Sequence, residues 1–251
     1  MRTIAVIGSA GRKDDARHMD RTLYDAMYEQ VLQAVSDWGC DAAVSGGAAL
    51  ADHLAVRAYL EGAVGDLLLF LPARFEDSAF VPNPRVQFNP GATGNTYHRA
   101  FSRACGIDSL GEISEAIARG ARVEVHEGFH RRNLEVADKA DTMLALTFGG
   151  MEAPVDIRQA DAGFSKSSAA GLKDGGTAFH GLSSDDENRR KVYDEFGPDD
   201  EGFRDSRMGG LRDGGTAHTW TQCWRAETKR HVNLFRLQQS IKDEPSTLPI
   251  P

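Results

Sequence analysis

Along the first 150 residues, short apolar runs that stop at glycine or proline alternate with longer stretches whose apolar residues recur every three or four positions. TIAVIG (3–8), DAAVSGG (41–47) and DLLLFLP (66–72) are runs of the first kind, rich in β-branched or leucine side chains. Uninterrupted apolar runs of that length predict strands buried on both faces, as in a parallel sheet. Between them, TLYDAMYEQVLQAVSDWG spaces Leu23, Met27, Val31 and Val35 four apart, and ALADHLAVRAYLEG (49–62) sets Leu50, Leu54 and Ala58 in the same register. That spacing gives one apolar helix face, and Gly39 marks the stop of the first. Helical patterns at 97–104 and 109–118, a strand at 121–126, a helix over RRNLEVADKA and a strand over DTMLALTFG (141–149) continue the alternation.

Strand and helix in turn, with glycine at the strand ends, predict an α/β protein: a Rossmann-like parallel sheet with helices on both faces. The stretch 73–96 reads as loop, with four prolines counted from the strand end at Pro72. From 151 to 213 the periodicity lapses, and fourteen acidic and nine basic side chains sit among glycine and serine. Such a composition buries too little apolar surface to offset the entropy of ordering, which predicts a long, partly mobile insertion. TAHTWTQCWRAETKR (216–230) then reads as a helix and HVNLFRL (231–237) as a last strand. The expected organisation is one domain formed by 1–150 and 214–240, an insertion at 151–213 and a tail at 241–251.

Composition narrows the chemistry. A net charge of −8 argues against broad nucleic-acid affinity, which needs a basic face, yet leaves room for a local basic pocket. Cys40, Cys105 and Cys223 are odd in number, widely spaced and without a metal-ligand pattern, so reduced thiols in a cytoplasmic setting are expected. The scattered histidines predict no metal, and nothing in the pattern calls for a cofactor. No apolar stretch approaches the roughly 20 residues that span a bilayer, so no membrane partner is expected.

A near-duplicated segment carries the first functional hint. GLKDGGTAFH (171–180) returns as GLRDGGTAHT (210–219), and only the second copy runs directly into a helical pattern. Its Gly214, Gly215 and Thr216 would open that helix, where free N–H groups and the positive dipole end attract phosphate. Two more glycine turns, IGSAGR with Gly8, Ser9 and Arg12, and VSGGAALAD with Ser45, Gly46, Gly47 and Asp52, would meet it at the carboxyl edge of the sheet. None matches the phosphate loop of nucleotide triphosphatases. Asp52 reads equally as a helix cap or a ribose ligand. Arg131 and Arg132 open the next helix at the end that disfavours cations. Either they face a bound anion, or they bridge to Glu127 or Glu135. His98 and His130 are further candidates for the pocket mouth. Trp220 and Trp224 read as core-facing.

RNLEVADKADTMLALTFGG (132–150), joined to GGTAHT (214–219), resembles the core of the lonely-guy phosphoribohydrolases and the wider SLOG superfamily of Rossmann-like nucleotide-binding domains. SGGAALAD (45–52) is similar to a turn of other members. The resemblance places Arg132 on the family's arginine, Asn133 on its lysine, Ala140 and Asp141 on its Ala-Asp, and Gly215-Thr216 on its Gly-Thr. Thr219 stands where the hydrolases carry their catalytic glutamate, and a hydroxyl cannot act as that carboxylate. The resemblance therefore implies a sensor, sponge or carrier that binds a nucleotide or nucleotide-sugar, with pairing of two copies as a further implication. The alternative is N-glycosidic hydrolysis or transfer, with Arg132, His218 and Asp213 as its catalytic candidates.

Overall fold

The structure is a computed structural model that describes residues 1–86, 88–149 and 214–243. Expectations for 150–213, including the first glycine-rich copy and Asp213, lie outside the described residues.

Six strands form one sheet: β1 (Thr3–Gly8), β2 (Ala42–Ser45), β3 (Asp66–Leu71), β6 (Arg122–Val125), β7 (Thr142–Thr147) and β8 (Thr228–Asn233). Their order is β6-β3-β2-β1-β7-β8, and each adjacent pair is parallel. The sheet separates two apolar layers because alternate residues of a strand point to opposite faces. Ile4, Val6, Ala43, Leu67, Leu69, Leu144 and Leu146 meet helices α1 (Arg21–Trp38), α2 (His53–Leu60), α3 (Pro90–Cys105) and α4 (Ser109–Ala118). Ala5, Ile7, Val44, Phe70, Met143 and Ala145 meet Val136 and Ala137 of α5 (Phe129–Lys139) and Cys223 beyond α6 (Gly214–Gln222). The fold is thus the Rossmann-like α/β arrangement that the apolar pattern predicts. No helix among the described residues is long and apolar enough to cross a membrane.

Four local readings differ. The stretch read as loop contains a two-stranded hairpin, β4 (Phe75–Glu76) with β5 (Ala79–Phe80), and the first two turns of α3. Helix α6 ends at Gln222, well short of 230. β8 starts at Thr228, and Leu234 begins a helix, α7 (Leu234–Asp243), where a strand is predicted through 237 and a tail from 241. β8 is an edge strand with every residue half-buried, so its sequence TKRHVN is polar, and the more apolar LFRL that follows is the anchor of a helix instead. Trp224 is 65% exposed, with the Arg225 guanidinium over its ring, while Trp220 packs on the second layer.

Topology fixes where a ligand can lie. From β1 the chain steps outward through β2, β3 and β6, then returns to lay β7 on the other side of β1. The strand order reverses between β1 and β7, and in open α/β sheets it is beyond the carboxyl ends of the strands at such a reversal that a crevice forms.

Candidate functional site

The first wall of the crevice is the β1 end. Gly8 lies so close to its neighbour that an added Cβ would fall 2.0 Å from the Leu146 carbonyl oxygen and 2.6 Å from Ala51 Cβ. Only glycine lets these segments meet. Buried Ser9 extends the junction: its N–H donates to the Leu146 carbonyl (3.0 Å), and its own carbonyl accepts from Ala51 N–H (3.3 Å). Arg12, three residues on, is half-buried, with its guanidinium carbon 5.5 Å from the Tyr97 ring centre and 5.9 Å from that of Phe129.

The β2 turn is locked from inside. The Ser45 hydroxyl donates to the Asp52 carbonyl (2.8 Å) and accepts from Gly47 N–H (3.2 Å). Gly47 adopts φ +64°, and a side chain there would also strike Leu71. Its carbonyl contacts His98 Nε2 at 3.1 Å, and His98 Nδ1 lies 3.0 Å from the Ser109 hydroxyl. A carbonyl only accepts, so Nε2 carries a proton. Burial holds the His98 pKa down at about 4, against the opposing pull of the Gly47 carbonyl. His98 is therefore an internal strut of the turn and does not reach the pocket mouth.

Arg132 joins these turns. It lies in the first turns of α5, which starts after Gly128 at φ +94°. Its side chain is 9% exposed, and Nη1 donates to Asp52 Oδ2 at 3.0 Å. The guanidinium rests directly on Gly46, where an added Cβ would sit 1.2 Å from Nη1. Its carbon is 6.0 Å from the Phe129 ring centre, so two guanidinium groups, of Arg12 and Arg132, flank one ring. Arg132 Nε is buried and has no hydrogen-bond partner among the described residues. The anion anticipated for the arginine pair is thus partly supplied by the protein itself. Asp52 neither caps α2 through its side chain nor stands open for a ribose; it accepts from Arg132 and, at 3.4 Å, from Ala48 N–H. Arg131 is exposed.

Helix α6 closes the far side. Gly214, Gly215 and Thr216 form its first turn. The Thr216 hydroxyl donates to the Gly8 carbonyl (2.9 Å), and Asn133 Nδ2 donates to the Gly215 carbonyl (3.3 Å), pinning α6 to β1 and α5. The Thr219 hydroxyl turns back onto the Gly215 carbonyl at 3.0 Å. His218 stacks edge-on to His130, ring centres 5.7 Å apart, and burial first, then His130, lowers its pKa to about 4. Gly8, Ser9, Ser45 to Gly47, Asp52, Arg132, Asn133, Gly215 and Thr216 therefore converge at one edge of the sheet. No group of three or more metal-ligating side chains occurs among the described residues. Phe129 and Tyr97 escaped the sequence reading, although an aromatic residue three positions before Arg132 was the available signal.

Two comparisons with known proteins bear on this assembly. No protein-family model matches the sequence. The chain is 33% identical over 153 residues to "Uncharacterized protein R261" of Acanthamoeba polyphaga mimivirus, an alignment that spans 58% of this chain and 81% of the viral protein. With a third of the aligned residues shared across four-fifths of that relative, the chain belongs to the family of mimivirus R261.

Proposed function

We propose that this protein binds a nucleotide or nucleotide-sugar, with the ligand's phosphate at the carboxyl edge between β1, β2 and the N-terminus of α6. The observation that carries this reading is Arg132: a guanidinium that is 9% exposed, seated on a glycine too tight for any other residue, with Nε unpartnered. A buried arginine that keeps an unpaired donor is costly unless an acceptor completes it. A phosphate oxygen is the acceptor best suited to a guanidinium beside a helix N-terminus. Binding is favoured over glycosidic cleavage because the Thr219 hydroxyl is committed to Gly215, so that position brings no carboxylate to a ribosyl centre.

Isothermal titration with AMP, ADP-ribose, cyclic ADP-ribose and deoxynucleotides tests the reading. At least one is expected to bind, and the double variant Asp52→Asn/Arg132→Gln, which removes both charges of the buried pair, is expected to lose at least tenfold in affinity. Equal binding by parent and variant, or none by the parent, refutes it. Incubation with nucleoside monophosphates is expected to release no free base; release would move the assignment to N-glycosidic chemistry.

A further inference from the structure

A second hollow of about 310 Å³ opens beside this edge, at the carboxyl ends of β3 and β6. That volume is at the small end of the roughly 300–1,000 Å³ range of ligand pockets. Pro72, Pro82 and Pro90 supply flat apolar walls, and Asn83, Arg85 and Glu127 supply polar groups. Glu127 precedes Phe129 by two residues, so at most about 12 Å of backbone separates it from Arg132. A nucleoside monophosphate bridges such a span.

Building on the nucleotide reading, we infer that this hollow receives the ligand's base and that the base is guanine. The polar groups are held ready. Asn83 N–H donates to Asn89 Oδ1 (2.9 Å), and Asn83 Oδ1 accepts from Arg85 N–H (3.1 Å). Asn83 Nδ2 then donates to Glu127 Oε1 at 3.4 Å. One donor among the described residues leaves most of the Glu127 carboxylate's acceptor capacity open, and a carboxylate that only accepts demands a base edge that only donates. Guanine presents two adjacent donors, N1–H and the N2 amino group, beside the acceptors O6 and N7. Guanidinium donors match O6 and N7 in geometry. Arg74 is paired with Glu76 at 2.8 Å, whereas Arg85 makes no ion pair among the described residues and is left to fill that role. Adenine would set its N1 acceptor against the carboxylate.

Titrations with GMP, IMP, AMP and ribose 5-phosphate decide the matter. GMP is expected to bind at least tenfold more tightly than AMP, with IMP between because it keeps N1–H but lacks the N2 amino group. Glu127→Gln, checked for an unchanged melting temperature, is expected to bring GMP down to AMP. Val86→Trp, which fills the hollow, is expected to bring both nucleotides down to ribose 5-phosphate. If GMP and AMP bind equally, or if the preference survives Glu127→Gln, the guanine pocket is refuted while nucleotide binding stands. If none of the four ligands binds, the nucleotide reading fails and takes this inference with it.

Discussion

At the scale of single residues, Arg132 and Asp52 show how a site can be half legible. The sequence marks Arg132 as misplaced for a helix start, which directs attention to a partner anion. That the partner is Asp52, 80 positions earlier, follows only from the sheet, which brings the β2 turn under the first turn of α5. With side chains 9% and 7% exposed, the pair has left water, and removing one charge strands the other. Arg132→Gln alone is therefore expected to destabilise the protein by about 3 kcal/mol, within the usual range for breaking a buried ion pair. Asp52→Asn/Arg132→Gln is expected to recover part of that loss, since neither position then leaves a buried charge unpaired. Urea unfolding of parent, single and double variants measures both effects. A single variant as stable as the parent would show that water reaches the pair.

At the scale of elements, the buried strands were the easiest to read and the chain reversals the hardest. β1, β2, β3 and β7 are apolar on both faces, so their sequences leave little choice. The start of α3 was hidden by NPGATGN, whose glycines resemble loop. Its cap residues were the missed signal: Asn89 accepts from Ala92 N–H, and Pro90 takes the first helical position, where a missing N–H is harmless. Asn89 also sits at φ +39° and accepts from Asn83 N–H, so one side chain fixes the helix start and the loop beside the second hollow. Asn89→Ala removes both acceptor contacts and keeps a Cβ in the left-handed region without the side-chain bonds that offset it, whereas Asn89→Gly removes the contacts and relaxes the backbone. Alanine is expected to cost about 1–2 kcal/mol and glycine less, the order seen for caps in general. Thermal unfolding of the two variants gives the ranking, and the reverse order would mean that the left-handed backbone carries no strain here.

At the scale of the whole molecule, buried histidines tie stability to pH. Burial depresses His53 well below its ordinary value and His98 to about 4; it also lowers His231 and, with His130 adding to the effect, His218 to about 4. In the unfolded chain each titrates near 6.5. Between about pH 6.5 and 4, then, the unfolded state holds protons that the folded state refuses, and stability must fall as pH falls. Above 6.5 neither state binds them, and their effect is flat. Glu112 and Asp15, both raised by burial, act in the opposite sense, since their folded forms take up protons earlier. Four histidines outweigh two carboxyl groups, so unfolding is expected to come at steadily lower urea concentrations from pH 6.5 down to 4.5. His98 is the cleanest contributor, because it is fully buried and its proton is fixed on the nitrogen facing Gly47. His98→Gln can still donate to that carbonyl but has no proton to gain, so it should flatten the slope by up to about 1.4 kcal/mol per pH unit. An unchanged slope in that variant would mean that the folded protein admits a proton at His98, and the strut beneath the β2 turn would have to be redrawn as a charged one.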